Sequence, residues 1–170
     1  MILESDKIRI KFTKTEHLPK IIKIEQDNSD FIGQYNFNEH KAVIENDNEL
    51  HFSIFDKSDN ALIGHIILAG LRNIKESIEF RRIVVSKKGK GFGTDSMKLI
   101  KKYCFDNLNA HRIWLDVLEA NFNAIKLYES QGFRIEEILR DSVKRDGKYC
   151  SLLLMSILNS EIESTEGETK

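Results

Sequence analysis

The fold is decided by the stretch Lys88-Gly89-Lys90-Gly91-Phe92-Gly93-Thr94, which follows the apolar, β-branched run Ile83-Val84-Val85. The run predicts a strand, and the helix-period segment that continues from the stretch to Leu108 predicts a helix. Three glycines in five positions let the backbone approach a ligand closely. A helix that begins there directs unpaired N–H groups and the positive end of its dipole at the loop. With Lys88 and Lys90 beside it, the loop is predicted to bind a phosphate or pyrophosphate.

The spacing of this loop excludes two common phosphate-binding motifs. The P-loop requires Gly-Lys followed by Ser or Thr, and the chain contains no such tripeptide. The dinucleotide fingerprint requires G-x-G-x-x-G, whereas Gly89, Gly91 and Gly93 give G-x-G-x-G. The region upstream also lacks the plain alternation of strands and helices that builds a βαβ unit. The loop alone leaves open a glycine-rich turn that binds nothing.

A second informative stretch runs from Asn121 to Phe133 and follows a strand-like run from His111 to Val117. Together with the glycine loop, it resembles the GNAT superfamily of acetyl-CoA-dependent N-acetyltransferases. The family's loop pattern, (Arg/Gln)-x-x-Gly-x-(Gly/Ala), is matched by Lys88, Gly91 and Gly93. Its later pattern, Asn-x-x-Ala-x-x-Leu-Tyr-x-x-x-Gly-Phe, is matched at Asn121, Ala124, Leu127, Tyr128, Gly132 and Phe133. The chain looks similar to the branch that acetylates protein N-termini or polyamines.

The chain departs from the family pattern at two points. Lys88 stands where the family usually has Arg or Gln, which keeps the charge of an arginine but loses its planar fork of donors. Only Ser86-Lys87-Lys88 separate Val85 from Gly89, which is shorter than the superfamily's common spacing between strand and loop. The short spacing leaves the register of the strand end open.

The order of the predicted elements indicates a mixed α/β layer domain. The resemblance implies a GNAT-like, mostly antiparallel sheet of about 6–7 strands, with helices on both faces and a splayed parallel strand pair. In that fold the strands that end at Val85 and near Val117 diverge, and acetyl-CoA lies in the gap between them. Residues 1–159 are predicted to form a single acetyl-CoA-binding domain. Residues 160–170, which are polar and acidic, are predicted to be a mobile tail.

The resemblance also implies how the co-substrate acetyl-CoA is bound. Backbone N–H groups near Ile83, Val84 and Val85 are expected to hold the pantetheine arm like an added strand, with that of Val84 polarising the thioester carbonyl. The backbone amides from Gly89 to Thr94 are expected to bind the pyrophosphate. The full set of predicted cofactor-binding residues is Ile83, Val84, Val85, Lys88, Gly89, Lys90, Gly91, Phe92, Gly93, Thr94, Asn121, Asn123 and Tyr128.

Tyr128 is predicted to be the catalytic acid. It lies seven residues after Asn121, which places both side chains on one face of the predicted helix, two turns apart. A phenol with a pKa of about 10 can protonate a departing thiolate whose conjugate acid has a pKa of about 8.5. The structural alternative for Tyr128 is a core aromatic residue with a satisfied hydroxyl.

Glu79 is predicted to be the catalytic base, on the same strand as the cofactor contacts. A two-residue period places Glu79, Arg81, Ile83 and Val85 on one face if no bulge intervenes. The carboxylate needs an apolar setting or a bridging water to take a proton from an amine. A solvated charge paired with Arg81 or Arg82 is an equally good explanation of Glu79.

Other ionisable residues are weaker candidates. His51, His65 and His111 are conceivable bases, but a lone histidine on a strand is usually structural, and no Cys/His spacing indicates a metal site. By resemblance, the early helical region covers the acceptor site, and it contains Glu25, Glu39 and Glu45. Acidic residues there would favour a cationic amine, although a solvated helix face explains them more readily.

Composition restricts the class of function. The 170 residues include 26 Lys and Arg against 27 Asp and Glu, and a net charge of −1 argues against a nucleic-acid binder. No apolar run approaches the roughly 20 residues that cross a membrane, and the amino terminus lacks the apolar stretch of a secretion signal. A cytoplasmic protein without a membrane partner is therefore expected.

We expect acetyl-CoA-dependent transfer of an acetyl group to a primary amine, which is a protein N-terminus, a polyamine or another small amine, without a metal. The alternative is a non-catalytic acyl-CoA-binding or regulatory module with the same fold. Tyr128 and Glu79 favour the enzyme, because a pure binder needs no phenol directed at the sulfur. A nucleotide phosphate binder is disfavoured by the motif mismatches. The identity of the amine and pairing into a homodimer stay open.

Overall fold

The computed structural model describes residues 2–166, with side chains up to residue 162. Its strands are β1 (Ile2–Glu4), β2 (Ile8–Phe12), β3 (Glu49–Asp56), β4 (Leu62–Ala69), β5 (Ser77–Val85), β6 (Arg112–Leu118), β7 (Arg134–Arg145) and β8 (Lys148–Leu158). Its helices are α1 (Leu18–Asp27), α2 (Phe37–Glu45), α3 (Phe92–Asp106), α4 (Phe122–Ser130) and α5 (Asn159–Glu166), with a 3-10 turn at Thr15–His17. Over the described residues the strands form one sheet in the spatial order β1-β2-β3-β4-β5-β6-β8-β7.

Local sequence signals explain where three of the helices begin. Pro19 lies in the first turn of α1, where its missing N–H removes no helical hydrogen bond. Asn36 and Glu39 form a capping box at the start of α2, in which each side chain accepts a hydrogen bond from the backbone N–H of the other residue. Gly91 precedes α3 with a φ of 79°, a left-handed conformation that suits glycine.

Helices cover both faces of the sheet. α1 packs against β4 and α2 packs against β3, whereas α3 packs against β2 and β5 on the opposite face. The main hydrophobic core lies on the α3 face and draws buried side chains from many strands, including Ile8, Phe52, Ile66, Phe80, Leu115 and Met155. None of the described helices has the length and apolar character that crossing a bilayer requires.

β5 and β6 are parallel neighbours that pair over only three residues. Ser77, Ile78 and Glu79 are opposite Arg112, Ile113 and Trp114, and the pairing then stops. β5 continues along β4 as far as Val85, and β6 continues along β8 as far as Leu118. Because each strand keeps its other partner while the two diverge, a gap opens between them on the carboxyl-terminal side of the pairing.

A β-bulge at Arg81 decides which way the side chains of β5 face. Leu68 of β4 is paired with Phe80, but the preceding residue, Ile67, is paired with Arg82, so Arg81 is the extra residue. The common face of Glu79, Arg81, Ile83 and Val85, which the sequence predicts for a strand without a bulge, therefore does not form. Ile83 and Val85 pack on the main core with Phe80, and Arg82 is turned to the α1 face.

The mixed, mostly antiparallel sheet with one parallel pair confirms the predicted fold class, with eight strands instead of about 6–7. The additional strand is β1, a three-residue edge too short to give a periodic signal. α5 (Asn159–Glu166) overlaps the predicted mobile tail, and Ile162 packs against the core, while the mobility of the tail stays a prediction. The rest of the predicted tail, residues 167–170, lies outside the described residues.

Substitution of Gly64 tests how closely β4 and β5 approach each other at the edge of the gap. A Cβ added at Gly64 would lie 2.2 Å from the carbonyl oxygen of Val84, which is backbone and cannot move without shifting β5. Gly64→Ala is therefore expected to lower the free energy of unfolding by about 1–3 kcal/mol, the usual cost of overpacking. Urea unfolding measures this change.

Gly93→Ala is the matched control, because a Cβ there would meet Leu127 at 3.5 Å, an ordinary van der Waals distance. It lies in α3, where alanine is a better helix former than glycine. Equal stability of the Gly64→Ala variant and the wild type would contradict the close approach of β4 to β5.

Candidate active site

The gap between β5 and β6 opens into a cleft of about 720 Å³. The end of β5, the glycine loop, the first turn of α3, the end of β6 and α4 form its walls. The loop between α1 and α2 adds Asn28, Phe31, Ile32 and Gly33. The predicted cofactor-binding residues that line the cleft are Ile83, Val84, Val85, Lys88, Gly89, Gly91, Phe92, Gly93, Thr94, Asn121, Asn123 and Tyr128.

The glycine loop places backbone donors at the mouth of the cleft. Gly89 and Gly91 have φ values of 76° and 79°. Apart from Gly89 and its two chain neighbours, no atom of the described residues lies within 4 Å of the position that a Cβ on Gly89 would occupy. Gly91 directly precedes α3, so the unpaired N–H groups of the first helical turn open at this loop. The arrangement fits a phosphate or pyrophosphate group, which needs bare backbone and several N–H donors.

The three lysines of this region differ in their surroundings. Lys87 is paired with Asp56 and Asp59, at 2.6 and 2.8 Å, which raises its pKa through these hydrogen bonds. Lys88 lines the cleft and is exposed, so its cation is available to an anion at the mouth. Lys90, which the sequence predicts as a cofactor contact, is exposed and does not line the cleft.

The backbone of β5 presents alternate N–H groups to the gap. The Ser86 N–H donates to the Ile63 carbonyl of β4 at 2.7 Å, and in an antiparallel ladder the next N–H on that side belongs to Val84. The predicted polarising role of the Val84 amide is therefore wrong, because this amide faces β4. The N–H groups of Ile83 and Val85 face the gap instead.

Tyr128 lies on α4, lines the cleft and is 8% exposed. Within residues 2–162 its hydroxyl makes no hydrogen bond, unlike the satisfied core tyrosine of the structural alternative. Burial raises the pKa of Tyr128, and the charge of Asp116 raises it further. A raised pKa keeps the phenol protonated at neutral and alkaline pH, which is the form that donates a proton.

The two asparagines predicted as cofactor contacts lie where α4 begins. Asn121 is the cap residue, and its Oδ1 accepts a hydrogen bond from the Ala124 N–H at 3.3 Å. The capping bond uses the oxygen of the amide and leaves its NH₂ group available. Asn123 lies in the first turn of α4 and lines the same wall.

Glu79, the predicted base, lies at the apex of the gap, since it belongs to the last pair between β5 and β6. Its carboxylate accepts hydrogen bonds from Arg81 Nη2 and Nε at 2.9 and 3.2 Å, and Arg81 also pairs with Glu49. Desolvation raises the pKa of Glu79, and Asp116 raises it further. Glu79 does not line the cleft itself, so its predicted role as a base requires a bridging water.

Asp116 lines the cleft although neither sequence motif includes it. It lies on β6, lines the cleft and, within the described residues, has no hydrogen bond or ion pair. Partial desolvation raises its pKa. The sequence signal was the alternation of β6, in which Leu115 and Val117 are buried and Asp116 between them is exposed.

Glu25 is buried, contrary to the solvated helix face that the sequence favours for Glu25, Glu39 and Glu45. Its side chain has no exposed surface and pairs with Arg82 Nη1 at 2.6 Å. For the other two residues the solvated face is correct, since Glu39 caps α2 and Glu45 pairs with Lys41 at 3.5 Å.

The histidines considered as bases do not line the cleft. His65 Nε2 lies 3.0 Å from a Glu25 oxygen, and His51 Nε2 lies 3.0 Å from His40 Nδ1 behind it. Burial lowers the pKa of His51 to about 2, so this ring is neutral. His111 is exposed. Among the described residues, no group of three or more His, Cys, Asp or Glu side chains is arranged to hold a metal ion.

Comparison with protein families defines the class of this protein. Residues 18–133 match the acetyltransferase (GNAT) family, which is more than half of the chain. The chain therefore belongs to the GNAT family, and its enzyme class is N-acetyltransferase. The match confirms the family resemblance and the enzyme class predicted from the two sequence motifs.

Particular relatives place the chain within that family. It is 33% identical over 127 residues to the probable N-acetyltransferase YjcK of Bacillus subtilis, and 34% identical over 126 residues to a spermidine N(1)-acetyltransferase of Vibrio cholerae. Each match covers 74% of this chain and 70% of the relative. The fold is similar to the crystal structure of spermidine N-acetyltransferase from Vibrio cholerae in complex with CoA and spermine, with a TM-score of 0.82 and 27% identity. That match covers 92% of this chain and 98% of the other.

Gly91→Ala tests whether the glycine loop binds coenzyme A. The substitution forces an alanine into a φ of 79° at the residue that opens α3, so the loop amides must move. The affinity for coenzyme A is expected to fall at least tenfold, about 1.4 kcal/mol. Isothermal titration calorimetry measures it.

Gly147→Ala is the matched control, because it introduces a similar strain at a φ of 77° in the turn between β7 and β8. Its affinity for coenzyme A should equal that of the wild type. An unchanged affinity in a folded Gly91→Ala variant would remove the loop from the binding site.

Proposed function

We propose that this protein transfers the acetyl group of acetyl-CoA to a primary amine by direct attack in a ternary complex. The observation that carries the proposal is the open gap between β5 and β6, which has the glycine loop at its mouth and the unpartnered hydroxyl of Tyr128 in its wall. A non-catalytic acyl-CoA-binding module needs the loop but not this phenol. The solved relative that binds CoA has the same fold, which supports acetyl-CoA as the donor.

The cleft fits acetyl-CoA at two points. The backbone from Gly89 to Thr94 would hold the pyrophosphate, and Lys88 would contribute a cation beside it. The gap-facing N–H groups of Ile83 and Val85 would hold the pantetheine arm as an added strand, and one of them would polarise the thioester carbonyl. When bound, acetyl-CoA supplies an acetyl thioester, which is an activated acyl donor.

Carboxylates at the apex of the gap handle the proton of the amine. An ammonium has no lone pair, so it must lose a proton before its nitrogen forms a bond to the acetyl carbon. Asp116 faces the cleft without a partner and would receive the ammonium, and Glu79 lies behind it at the apex and would take the proton through water. The raised pKa of each carboxylate makes it a better proton acceptor than a solvated one.

Tyr128 completes the transfer by donating its proton to the sulfur. As the new C–N bond forms, the C–S bond breaks and the electron pair leaves on sulfur. The phenol proton neutralises this thiolate, the second proton that the nitrogen loses as the amide forms replaces it on Tyr128, and the first proton, taken by Glu79, leaves to solvent. A cytoplasmic location stays a prediction from the sequence, and pairing into a homodimer stays open.

The activity itself is tested by thiol release from acetyl-CoA with a panel of primary amines. Release that depends on an amine, with a matching acetylated product in the mass spectrum, supports the enzyme. Tight binding of coenzyme A without turnover on any amine would support the non-catalytic module instead.

Tyr128→Phe is expected to slow the chemical step by roughly 10²-fold, within the range of general acid catalysis, because it removes the proton donor and little volume. Affinity for coenzyme A should change little, which separates this effect from a binding defect. Single-turnover kinetics measures the step.

Tyr103→Phe is the matched control for loss of a buried tyrosine hydroxyl. Tyr103 is 7% exposed and packs against Phe52 in the core, away from the cleft. An unaffected chemical step in the Tyr128→Phe variant would make Tyr128 a structural residue.

The two carboxylates are separated by pH–rate profiles of Glu79→Gln and Asp116→Asn. If Glu79 takes the proton, Glu79→Gln should lower activity steeply at neutral pH, with partial recovery at alkaline pH, where free amine is present. If Asp116 binds the ammonium, Asp116→Asn should chiefly raise KM for the amine at every pH at which the amine is charged.

Each profile also has a result that excludes its residue. A Glu79→Gln profile that superimposes on the wild type removes Glu79 from the mechanism and leaves its pairing with Arg81 as its role. An unchanged KM in the Asp116→Asn variant removes Asp116 from the acceptor site.

A further inference from the structure

Arg82 is held rigidly at the side of the cleft that the α1–α2 loop closes. Its Nη1 donates a hydrogen bond to Glu25 Oε1 at 2.6 Å, and its Cζ lies 4.0 Å from the centroid of the Tyr35 ring. The bulge at Arg81 turns this side chain to the α1 face, where 10% of it stays exposed. A guanidinium fixed on one edge and on one face cannot reorient, so its remaining donors have a set direction.

Glu25, which holds Arg82, is itself fixed by several contacts. Its side chain has no exposed surface, and its Oε2 accepts a hydrogen bond from the Tyr35 N–H at 2.8 Å. His40 Nε2 and His65 Nε2 lie 3.3 and 3.0 Å from its two oxygens. Burial alone would raise the pKa of Glu25, but the contacts with His40, His65, the Tyr35 amide and Arg82 together hold it well below the usual range. The carboxylate is therefore ionised and balances the charge of Arg82.

The free edge of Arg82 opens to the cleft. Within residues 2–162, Nη2 and Nε make no hydrogen bond. Neither of these two nitrogens is fully buried. Nη2 lies 3.5 Å from the position that a Cβ on Gly33 would occupy, and Arg82 and Gly33 both line the cleft. Phe31 and Ile32 beside them are apolar, so a polar ligand atom here meets little competition from the wall.

We infer that the amine accepted by this protein also carries a carbonyl or carboxylate oxygen, which binds the free edge of Arg82. The inference rests on the proposed function and specifies its acceptor. A guanidinium edge is a strong and directional receptor for such an oxygen. An alkylamine or polyamine brings only N–H donors and positive charge, so it would leave the Arg82 donors unpaired and place a cation beside them. The carboxylate of a free amino acid and the first carbonyl of a peptide chain share this chemistry.

Binding to the enzyme–coenzyme A complex tests the inference without turnover, because coenzyme A carries no acetyl group to transfer. The panel contains free amino acids, the corresponding amino-acid amides as mimics of peptide N-termini, and the decarboxylated amine with the same side chain. The three compounds that share a side chain are compared with one another. In at least one such set, the amino acid or its amide should bind at least tenfold more tightly than the decarboxylated amine. Preference for amides points to a chain terminus, and preference for acids points to a free amino acid. Equal or tighter binding of decarboxylated amines or spermidine across the panel would overturn the inference.

Arg82→Lys tests the residue itself. A lysine keeps a cation for Glu25 but lacks the second pair of N–H donors of the guanidinium. The preference for the amino acid or amide over the decarboxylated amine should therefore fall from at least tenfold to below threefold. Affinity for coenzyme A should stay unchanged.

Arg112→Lys is the matched control, since Arg112 also pairs with a carboxylate, Glu136 at 2.8 Å, and does not line the cleft. A preference that persists in the Arg82→Lys variant would assign it to another residue, and if this variant does not fold, the wild-type panel decides the question.

Turnover separates failure of this inference from failure of the proposed function. If no amine releases thiol from acetyl-CoA, the proposed function is wrong. If amines are acetylated at equal kcat/KM with and without the adjacent oxygen, the function holds and the assignment of Arg82 as the specificity residue is overturned.

Discussion

The three-residue pairing between β5 and β6 is the constraint on which the rest of the structure depends. β5 stays on β4 and β6 stays on β8, so the two strands diverge after Glu79 and Trp114. The divergence leaves the gap-facing amides of β5 without strand partners, and unpaired backbone donors are costly unless a ligand or water satisfies them. It also determines what surrounds the gap, because the glycine loop extends the end of β5 and α4 follows the end of β6. The cleft therefore follows from the sheet's topology, and side chains only refine it.

Two small backbone features adjust this arrangement. The bulge at Arg81 adds one residue to β5, which returns Ile83 and Val85 to the main core and turns Arg82 to the opposite face. Gly64 lets the Val84 carbonyl approach β4. The Arg82–Glu25 pair that results is buried, and breaking such a pair typically costs about 3–5 kcal/mol. Glu25 also contacts Tyr35, His40 and His65, so the pair gives Arg82 a fixed direction that a solvated arginine would not have.

The sequence predicted what depends on local pattern and missed what depends on distant partners. The order of strands and helices, the glycine loop and the position of Tyr128 follow from periodicity and from motifs within short windows. The bulge at Arg81 was missed because its extra residue shows only against the pairing of β4. For Glu25 the sequence favours a solvated face, because an isolated carboxylate on a helix is usually exposed. Its partners Tyr35, His40, His65 and Arg82 come from separate segments, and no spacing along the chain links them. Asp116 was missed because a charged residue in an alternating strand is ordinarily solvent-facing.

The short pairing also divides the sheet into two locally connected parts. Residues before the glycine loop supply β1 to β5, residues after α3 supply β6 to β8, and no strand from one part is inserted into the other. Three residue pairs, the shared core under α3 and hydrogen bonds from Arg145 of β7 to the carbonyls of Ser29 and Ile32 join the parts. The angle between these two half-sheets therefore sets the width of the cleft, and no hydrogen-bonded ladder crosses the cleft itself. In a sheet built in this way, a ligand in the cleft contacts two units whose strands are hydrogen-bonded separately, so it can bridge a junction that the backbone itself leaves open.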